Sequence, residues 1–260
     1  MKAPHALIIG GSRGIGRAVV VQLSEEGMRV SAIGRNLPGG QSQRVRGARY
    51  WKADVRDPDF LSRTLRDVLR TQGKINHLIF LQRYRGEGDA WQDELDVSLT
   101  ATKEIVDALS ESFAAGERSI VIVSSINASY ISPYLSIGYH AVKAALQQMV
   151  RFWAVSLGEK GIRVNAVSPG TVLKAESRKF FLQDRSLAAF YRSITPLRRF
   201  GEASEVARII SFLCGKGSSF VTGQNIVVDG GVSLQWQETL ARDVATIPPS
   251  PRKVTRGRKK

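Results

Sequence analysis

The 260-residue sequence contains little cysteine, few histidines and no long apolar run. Its single cysteine, Cys214, excludes an intrachain disulfide, and the apolar-periodic stretch around it indicates a small buried side chain. The apolar stretch near the N-terminus reaches glycines after a few residues, which is too short for a signal-peptide core or a membrane span. The histidines His5, His77 and His140 lack the spacing and the carboxylate neighbours of a metal site. We therefore expect a soluble cytoplasmic protein with no bound metal.

Negative charge is also scarce. The chain has 38 Lys and Arg against 23 Asp and Glu, which gives a formal net charge of +15. Its final ten residues, PRKVTRGRKK, contain six basic residues and no acidic one, so the rest of the chain still carries +9. A positive field attracts nucleic acid, acidic membranes and anionic substrates alike. Because charge runs usually stay solvated, we expect a disordered basic end and neither a nucleic-acid nor a membrane contact.

The chain does contain a regular alternation of short apolar runs and longer amphipathic stretches. Seven runs are typical of strands in a parallel sheet that is covered on both faces: ALIIG, RVSAIG, ARYWKADV, NHLIFL, RSIVIVSS, IRVNAVSPG and QNIVVDGG. The stretches between them have helical periodicity; one predicted helix covers residues 97–116, and several of the helices end at glycine. This alternation predicts an α/β fold with a doubly wound, seven-stranded parallel sheet in a single domain.

The glycine-rich stretch GGSRGIG, residues 10–16, lies between the first predicted strand and the first predicted helix. Backbone N–H groups at a helix N-terminus point towards an anion, and glycine allows a diphosphate to approach closely. We expect Gly10, Gly14 and Gly16 to make such contacts. The spacing differs from the common dinucleotide fingerprint, so on the stretch alone an ordinary turn remains the alternative.

Further motifs follow the glycine stretch in order. Tyr139 and Lys143, in YHAVK, are four residues apart on a predicted helix and so share one face. Ser125 ends an apolar strand upstream, and NAVSPG follows downstream. With these motifs, residues 5–234 resemble the short-chain dehydrogenase/reductase family, especially its 3-oxoacyl-reductase-like members. The resemblance implies a Rossmann-type fold and a nicotinamide cofactor.

The resemblance also implies a proton-transfer site. A free phenol has a pKa of about 10, and a nearby ammonium group stabilises the phenolate. Lys143 would do this for Tyr139, while Ser125 would donate a hydrogen bond to the substrate carbonyl oxygen and orient it. The expected reaction is reversible hydride transfer between NADP(H) and a ketone or a secondary alcohol. The alternative is that Tyr139 and Lys143 are an incidental pair on a helix.

The predicted cofactor is NADPH, because the second strand ends without an acidic residue. A carboxylate there would bind a ribose 2'-hydroxyl, whereas a 2'-phosphate needs a cation. Gly34 stands at that position, and Arg35 and Arg13 could converge on the phosphate through paired donors. Two merely exposed arginines are the alternative. The remaining residues that we assign to the cofactor site, besides Tyr139 and Lys143, are Ser12, Ile15, Asn36, Asp54, Val55, Pro169, Gly170 and Val172.

Two segments depart from the family pattern. Residues Phe80 to Arg83 stand where the family has Asn-Asn-Ala-Gly, and Ser98 stands where it has an asparagine that holds a water near the lysine. Serine still donates and accepts hydrogen bonds, so we include Ser98 in the catalytic set. These departures keep a second hypothesis open: an NADP-binding protein that does not catalyse and acts as a sensor or scaffold, contacting nucleic acid through its basic tail.

The segment 173–200 combines aromatic and basic residues before the last long helix. It is either an apolar lid with a basic rim that favours an anionic substrate, or a helical hairpin with aromatics inward and cations in water. We expect a catalytic domain over residues 1–234 and a C-terminal extension over residues 235–260. By analogy with the family we expect a homotetramer or homodimer that acts on a small carbonyl substrate.

Overall fold

The computed structural model describes residues 3–40, 44–86 and 90–245 of the chain. Its centre is a seven-stranded sheet in the order β3-β2-β1-β4-β5-β6-β9, and all neighbouring strands are parallel. The strands of this sheet are β1 His5–Ile9, β2 Arg29–Gly34, β3 Ala48–Lys52, β4 His77–Phe80, β5 Arg118–Val123, β6 Ile162–Pro169 and β9 Asn225–Val228. A short parallel pair, β7 Val172–Leu173 and β8 Gly201–Glu202, lies outside it. The predicted doubly wound α/β fold is confirmed.

Helices cover both faces of the sheet. They are α1 Gly14–Glu25, α2 Pro58–Gln72, α3 Ala90–Leu95, α4 Ala101–Leu109, α5 Ile137–Ser156, α6 Ala175–Gln183, α7 Arg185–Ile194, α8 Ala203–Cys214 and α9 Gln237–Val244. A π-helical turn, Asp96–Thr100, connects α3 to α4. No described helix combines the length and the apolar composition that crossing a membrane requires.

The helix predicted over residues 97–116 is too long, since α4 already ends at Leu109. Beyond it the backbone pairs with the segment before β4: Ile75 N donates to Ser112 O at 3.1 Å and Ala114 N donates to Ile75 O at 2.7 Å. These bonds form an isolated parallel bridge between Ile75 and Phe113. Tertiary pairing therefore overrides the helical pattern there.

Successive residues of the central strands point to opposite faces of the sheet, and both faces are apolar. Leu7 and Ile9 pack with α2, α4 and α5, whereas Ile8 packs with α1 and α8. Cys214 packs in the layer formed by Ile8, α1 and α8 and is fully buried, as predicted. Burial raises the pKa of its thiol to about 12. The sheet is a rigid, dry support for the loops at its carboxyl edge.

Two histidines are buried within the sheet. His5 Nε2 lies 2.8 Å from Ser31 Oγ, and His77 Nδ1 lies 3.0 Å from Ser119 Oγ. Burial lowers the pKa of both, that of His77 to about 4 with a smaller contribution from Arg163. Both histidines are therefore neutral and serve packing. No group of three or more His, Cys, Asp or Glu side chains that could hold a metal ion occurs within the described ranges.

Helix α9 falls in the predicted C-terminal extension and is folded. The rest of that extension, residues 246–260 with the basic end, lies outside the described residues. The strand ends that matter for function are the carboxyl ends of β1, β2, β4, β5 and β6. In a doubly wound sheet, ligands bind outside this edge.

Candidate active site

The glycine loop after β1 has a backbone that only glycine adopts easily. Gly10 and Gly14 have φ values of +89° and +55°, in the left-handed region. A Cβ atom on Gly16 would lie 2.0 Å from the carbonyl oxygen of Gly10, so any larger residue would push the loop away from α1. The first N–H groups of α1 have no partner within the helix. The loop therefore has the shape of an anion-binding turn.

A cavity of about 260 Å³ opens beside this loop at the carboxyl ends of β1 and β2. The structure brings these predicted residues together in its wall: Gly10, Ser12, Arg13, Arg35, Asn36, Asp54 and Val55. The hydrogen bond from Arg56, Nη2 to Oδ2 at 3.0 Å, is the main cause that lowers the pKa of Asp54. Asp54 is therefore an ionised acceptor in a cavity that five arginines also line: Arg13, Arg35, Arg56, Arg83 and Arg85.

A second cavity, of about 360 Å³, lies at the carboxyl ends of β5 and β6. It brings together eight more of the predicted residues: Ile15, Gly16, Ser125, Tyr139, Lys143, Pro169, Gly170 and Val172. Gly14 and Ser98 are among the lining residues of neither cavity. The two cavities share Arg13, Leu81, Arg83 and Arg85 as lining residues. They are adjoining halves of one cleft along the edge of the sheet.

Tyr139 and Lys143 stand one turn apart at the start of α5, which Ser136 caps by accepting a hydrogen bond from Tyr139 N at 3.1 Å. Lys143 is buried; its Nζ lies 5.7 Å from the centroid of the Tyr139 ring and donates to Val123 O at 2.9 Å. Burial, then Arg83, lowers the pKa of Lys143 to about 8. Lys143 thus remains a cation at neutral pH, next to a phenol.

Ser125 follows β5 on the same cavity wall. Its Oγ accepts a hydrogen bond from Asn127 N at 3.1 Å and lies 3.3 Å from Asn127 Oδ1. The short helical turn that begins there fixes the serine in position. Ser125 is therefore held where its hydroxyl faces the cavity that Tyr139 and Lys143 also line.

Glu94 is a buried carboxylate that the sequence did not single out. It lies in α3, and burial raises its pKa while the positive charges of Arg83 and Lys143 oppose that change. Ser98 is buried beside it and donates a weak hydrogen bond to Glu94 Oε2 at 3.5 Å. The structure thus places Ser98 against Glu94, and Ser98 is not among the described residues that line the second cavity.

The segment at the carboxyl end of β4, Phe80 to Arg83, lies at the junction of the two cavities, both of which Leu81 and Arg83 line. Phe80 is in the sheet core, and Gln82 Nε2 donates to Thr102 Oγ1 at 2.8 Å. Gln82 Oε1 is buried and accepts no hydrogen bond from a described residue. The guanidinium carbon of Arg83 lies 4.9 Å from the centroid of the Tyr139 ring. An arginine thus reaches the tyrosine of the predicted catalytic set.

The first turn of α6 covers the glycine loop. A Cβ atom on Gly14 would lie 2.9 Å from Glu176 Oε1 and 3.3 Å from Lys174 Cδ. Glu176 Oε1 also lies 3.8 Å from Arg85 Nη1. Lys174 lies in segment 173–200, which the sequence had already singled out, whereas Arg85 and Glu176 belong to no motif and only their positions in the fold reveal them as part of the site.

Segment 173–200 forms helices α6 and α7 and buries only some of its aromatic side chains. Phe181, Tyr191 and Phe200 pack together with ring centroids 5.3 to 5.5 Å apart, whereas Phe180 and Phe190 are exposed. Phe181 nevertheless lines the second cavity together with Lys174 and Ser177. The segment is a helical hairpin whose first turn forms one wall of the cleft.

Comparisons with known proteins show what the chain is similar to. The family described as enoyl-(acyl carrier protein) reductase matches residues 10–233. A tropinone reductase homolog of Arabidopsis thaliana is 32% identical over 248 residues, which cover 88% of this chain and 90% of that protein. Isoepoxydon dehydrogenase of Aspergillus clavatus is 30% identical over 257 residues, 91% of this chain and 97% of that one. Both similarities span nearly the whole chain.

Solved structures share the fold. A short-chain type dehydrogenase/reductase from Mycobacterium ulcerans superposes with a TM-score of 0.80 at 26% identity, covering 90% of this chain and 91% of that one. ElxO with NADP bound superposes with a TM-score of 0.78 at 22% identity, covering 90% and 100% of the two chains. The latter similarity concerns the fold alone.

Proposed function

Because the chain belongs to the short-chain dehydrogenase/reductase family of oxidoreductases, we propose that it reduces a small carbonyl compound with NADPH and oxidises the secondary alcohol in reverse. One observation carries the proposal. Ser125, Tyr139 and Lys143 line one half of a cleft, and the glycine loop and two arginines line the other half. The acid Tyr139 and the hydrogen-bond donor Ser125 therefore lie next to the proposed dinucleotide-binding site.

The donor set of the cleft fits NADP(H). Arg13 and Arg35 would hold the 2'-phosphate through paired N–H donors, and the ionised Asp54 would accept from the adenine amino group. The loop of Gly10, Ser12, Gly14, Ile15 and Gly16 would bind the diphosphate. Lys143 would bind the nicotinamide ribose, beside the wall of Pro169, Gly170 and Val172. When bound, the cofactor supplies the hydride for the carbonyl carbon.

The chain's own groups would handle the proton. Tyr139 donates its phenolic proton to the carbonyl oxygen as negative charge develops there. Ser125 donates a hydrogen bond to the same oxygen and orients it. The buried ammonium of Lys143 stabilises the phenolate that remains. In the oxidising direction the phenolate takes the proton from the alcohol.

Replacing Tyr139 tests this function. Tyr139→Phe removes the acid and keeps the ring, so ketone reduction is expected to fall by roughly 10²- to 10⁴-fold while NADPH affinity stays within about twofold. NADPH absorbance with a panel of ketones measures the rate, and nucleotide fluorescence measures binding. Tyr134→Phe makes the same change on a side chain that is 93% exposed and serves as the control. Unchanged turnover in Tyr139→Phe would show that another group is the acid.

Replacing Arg35 tests the cofactor preference. Arg35→Gln removes a charged donor from the adenosine half of the cleft, so KM for NADPH is expected to rise about 10-fold or more with KM for NADH little changed. Arg66→Gln removes an exposed arginine on α2 as the matched control. Equal effects on the two nucleotides would contradict a 2'-phosphate contact.

A second candidate function is an NADP-binding sensor or scaffold without catalysis, contacting nucleic acid through its basic tail. It is favoured by the rebuilt segment at Phe80 to Arg83 and by the position of Ser98 beside Glu94. Tight NADPH binding with no turnover across a broad ketone panel would support it over the reductase.

We also propose a homodimer or homotetramer in the cytoplasm, with residues 1–234 as its catalytic domain. Phe152 and Val155 on α5 are 67% and 83% exposed, which is unusual for such side chains without a partner. The buried, unpaired Cys214 suits a reducing compartment. Sedimentation of the parent and of a Phe152→Lys variant measures the assembly, and a monomeric parent would contradict it.

A further inference from the structure

The second cavity, which we call the substrate half of the cleft, is lined by more cationic side chains than the proposed proton transfer requires. Five cationic side chains line it: Arg13, Arg83, Arg85, Lys143 and Lys174. Two described carboxylates act on this group: Glu94 interacts electrostatically with Arg83 and Lys143 without forming an ion pair, and Glu176 is paired with Arg85. Burial and neighbouring cations lower the pKa of Arg85 and of Lys174. The cations therefore repel one another, and a bound anion would reduce this repulsion.

Four of these cations already have an assignment. Arg13 and Lys174 flank the glycine loop, where the cofactor's phosphates would lie. Lys143 acts on Tyr139, and Arg85 is paired with Glu176 at 3.8 Å. Arg83 is left, because it has no ion pair with any carboxylate in the described ranges. Its Nε donates only a long hydrogen bond, 3.4 Å, to Tyr84 O.

The position of Arg83 limits how far an anionic group on the substrate can lie from the reacting carbonyl. Its guanidinium carbon lies 4.9 Å from the centroid of the Tyr139 ring, so an anion on this arginine would be a neighbour of the reacting carbonyl. A guanidinium presents a planar fork that matches the two oxygens of a carboxylate or a phosphate. A substrate with such a group one or two carbons from its carbonyl can reach Tyr139 and Arg83 together.

We propose that Arg83 is the specificity-determining residue of the cleft and binds an anionic group on the substrate, which makes the substrate a short oxo acid or an oxo phosphate. The inference rests on the proposed function and narrows its substrate class. Arg83 selects the substrate through its charge and its paired donors, and Tyr139 and Ser125 act on the carbonyl beside it.

The test compares each anion with its neutral counterpart on the full chain. One arm uses acetoacetate and methyl acetoacetate, and the other uses dihydroxyacetone phosphate and dihydroxyacetone. In the parent, kcat/KM with NADPH should favour the anion of at least one pair by about 10-fold or more. In Arg83→Gln this ratio should approach one through a higher KM for the anion, and Arg83→Lys, which keeps the charge but not the fork, should lie between them.

Lys179→Gln is the matched control, because Lys179 is an exposed cation on α6 and does not line the second cavity. It should keep the parent's ratio. The arm that shows the preference identifies the anion as carboxylate or phosphate. A parent without preference in either arm, or an Arg83→Gln variant that loses the same factor for anion, neutral ketone and NADPH affinity, overturns the inference.

Calorimetry separates the inference from the proposed function. Acetoacetate and dihydroxyacetone phosphate are each titrated into the protein loaded with NADP⁺. Anion binding that Arg83→Gln abolishes, without turnover in the parent, retains the anion subsite and rejects the reductase. Turnover of neutral ketones with no anion preference retains the reductase and rejects the subsite. If neither anion binds and kcat/KM shows no preference for an anion, the anion subsite is rejected as well.

Discussion

At the scale of single residues, the balance of charge around Lys143 is the most informative feature of the cleft. Burial and then Arg83 lower the pKa of Lys143, and Glu94 opposes them, so that the pKa is about 8. The lysine helps Tyr139 only while it is charged, below its own pKa. In the proposed mechanism Glu94 would therefore act through Lys143, as a positioning residue.

Glu94→Gln should therefore shift the pH dependence of the reaction. Loss of the carboxylate lowers the pKa of Lys143, so the alkaline fall of kcat/KM for ketone reduction is expected to move to lower pH. Rates from about pH 6 to about pH 10 measure the shift. Glu104→Gln removes an exposed carboxylate on α4 and should leave the profile in place. An unshifted profile in Glu94→Gln would mean that Lys143 does not sense this carboxylate.

The residues of the site differ in how far sequence could predict them. Tyr139, Lys143 and Ser125 belong to short motifs that can be recognised in the sequence without knowledge of the tertiary structure. The structure brings all three to one cavity. Glu94 and Arg83 meet these residues only because α3 and the segment after β4 pack against α5, which no local pattern records. Ser98 was assigned by resemblance, and its actual neighbour, Glu94, is set by the π-helical turn.

At the scale of elements, α6 combines two opposite charges over the glycine loop. Lys174 would attract a diphosphate bound there in the proposed function, whereas Glu176, which lies near Gly14 and Arg85, would repel it. At the start of α6, Lys174 would therefore strengthen nucleotide binding and Glu176 would weaken it.

Glu176→Gln should bind NADPH more tightly. The substitution removes a negative charge beside the phosphate seat and releases Arg85, so the Kd is expected to fall by about two- to tenfold at low salt, and by less at high salt. Fluorescence titration at two salt concentrations measures both effects. Glu159→Gln, an exposed carboxylate after α5, is the control. A higher Kd in Glu176→Gln would indicate that Glu176 instead positions α6 for binding.

Strands were easier to predict than helix ends. The inner strands β1, β2, β4, β5 and β6 are short apolar runs because both of their faces are buried, and burial on both faces leaves a strong signal in composition. The edge strands β3 and β9 contain no fully buried residue. The end of α4 was missed because the bridge between Ile75 and Phe113 depends on a partner far along the chain. The covering turn of α6 was missed for the same reason, since its contacts with Gly14 are not local.

At the scale of the whole molecule, the buried histidines link stability to pH. His77 has a pKa lowered to about 4 by burial, and burial lowers the pKa of His5 as well. Below about pH 6.5 the unfolded chain takes up protons that the folded sheet does not. The free energy of unfolding must then fall as pH falls from about 6.5 towards 4.

Urea unfolding at about pH 7.5, 6.5 and 5 should show this loss as a falling midpoint, with at most about 3 kcal/mol from His77. His77→Gln removes one titrating group, so its free energy of unfolding should change less over the same interval, whatever its absolute stability. Equal pH dependence in the variant and the parent would place the proton uptake elsewhere.

The strand order also has a consequence for how the chain assembles during synthesis. The central strand β1 pairs on one side with β2, which follows soon after it, and on the other with β4, where Ala6 meets His77. Until β4 leaves the ribosome, β1 is an apolar strand with one open hydrogen-bonding edge, the kind of edge that recruits other chains. Strands β4, β5 and β6 each have the same open edge until the next strand pairs with them, and β9, the last to be made, closes the edge of β6.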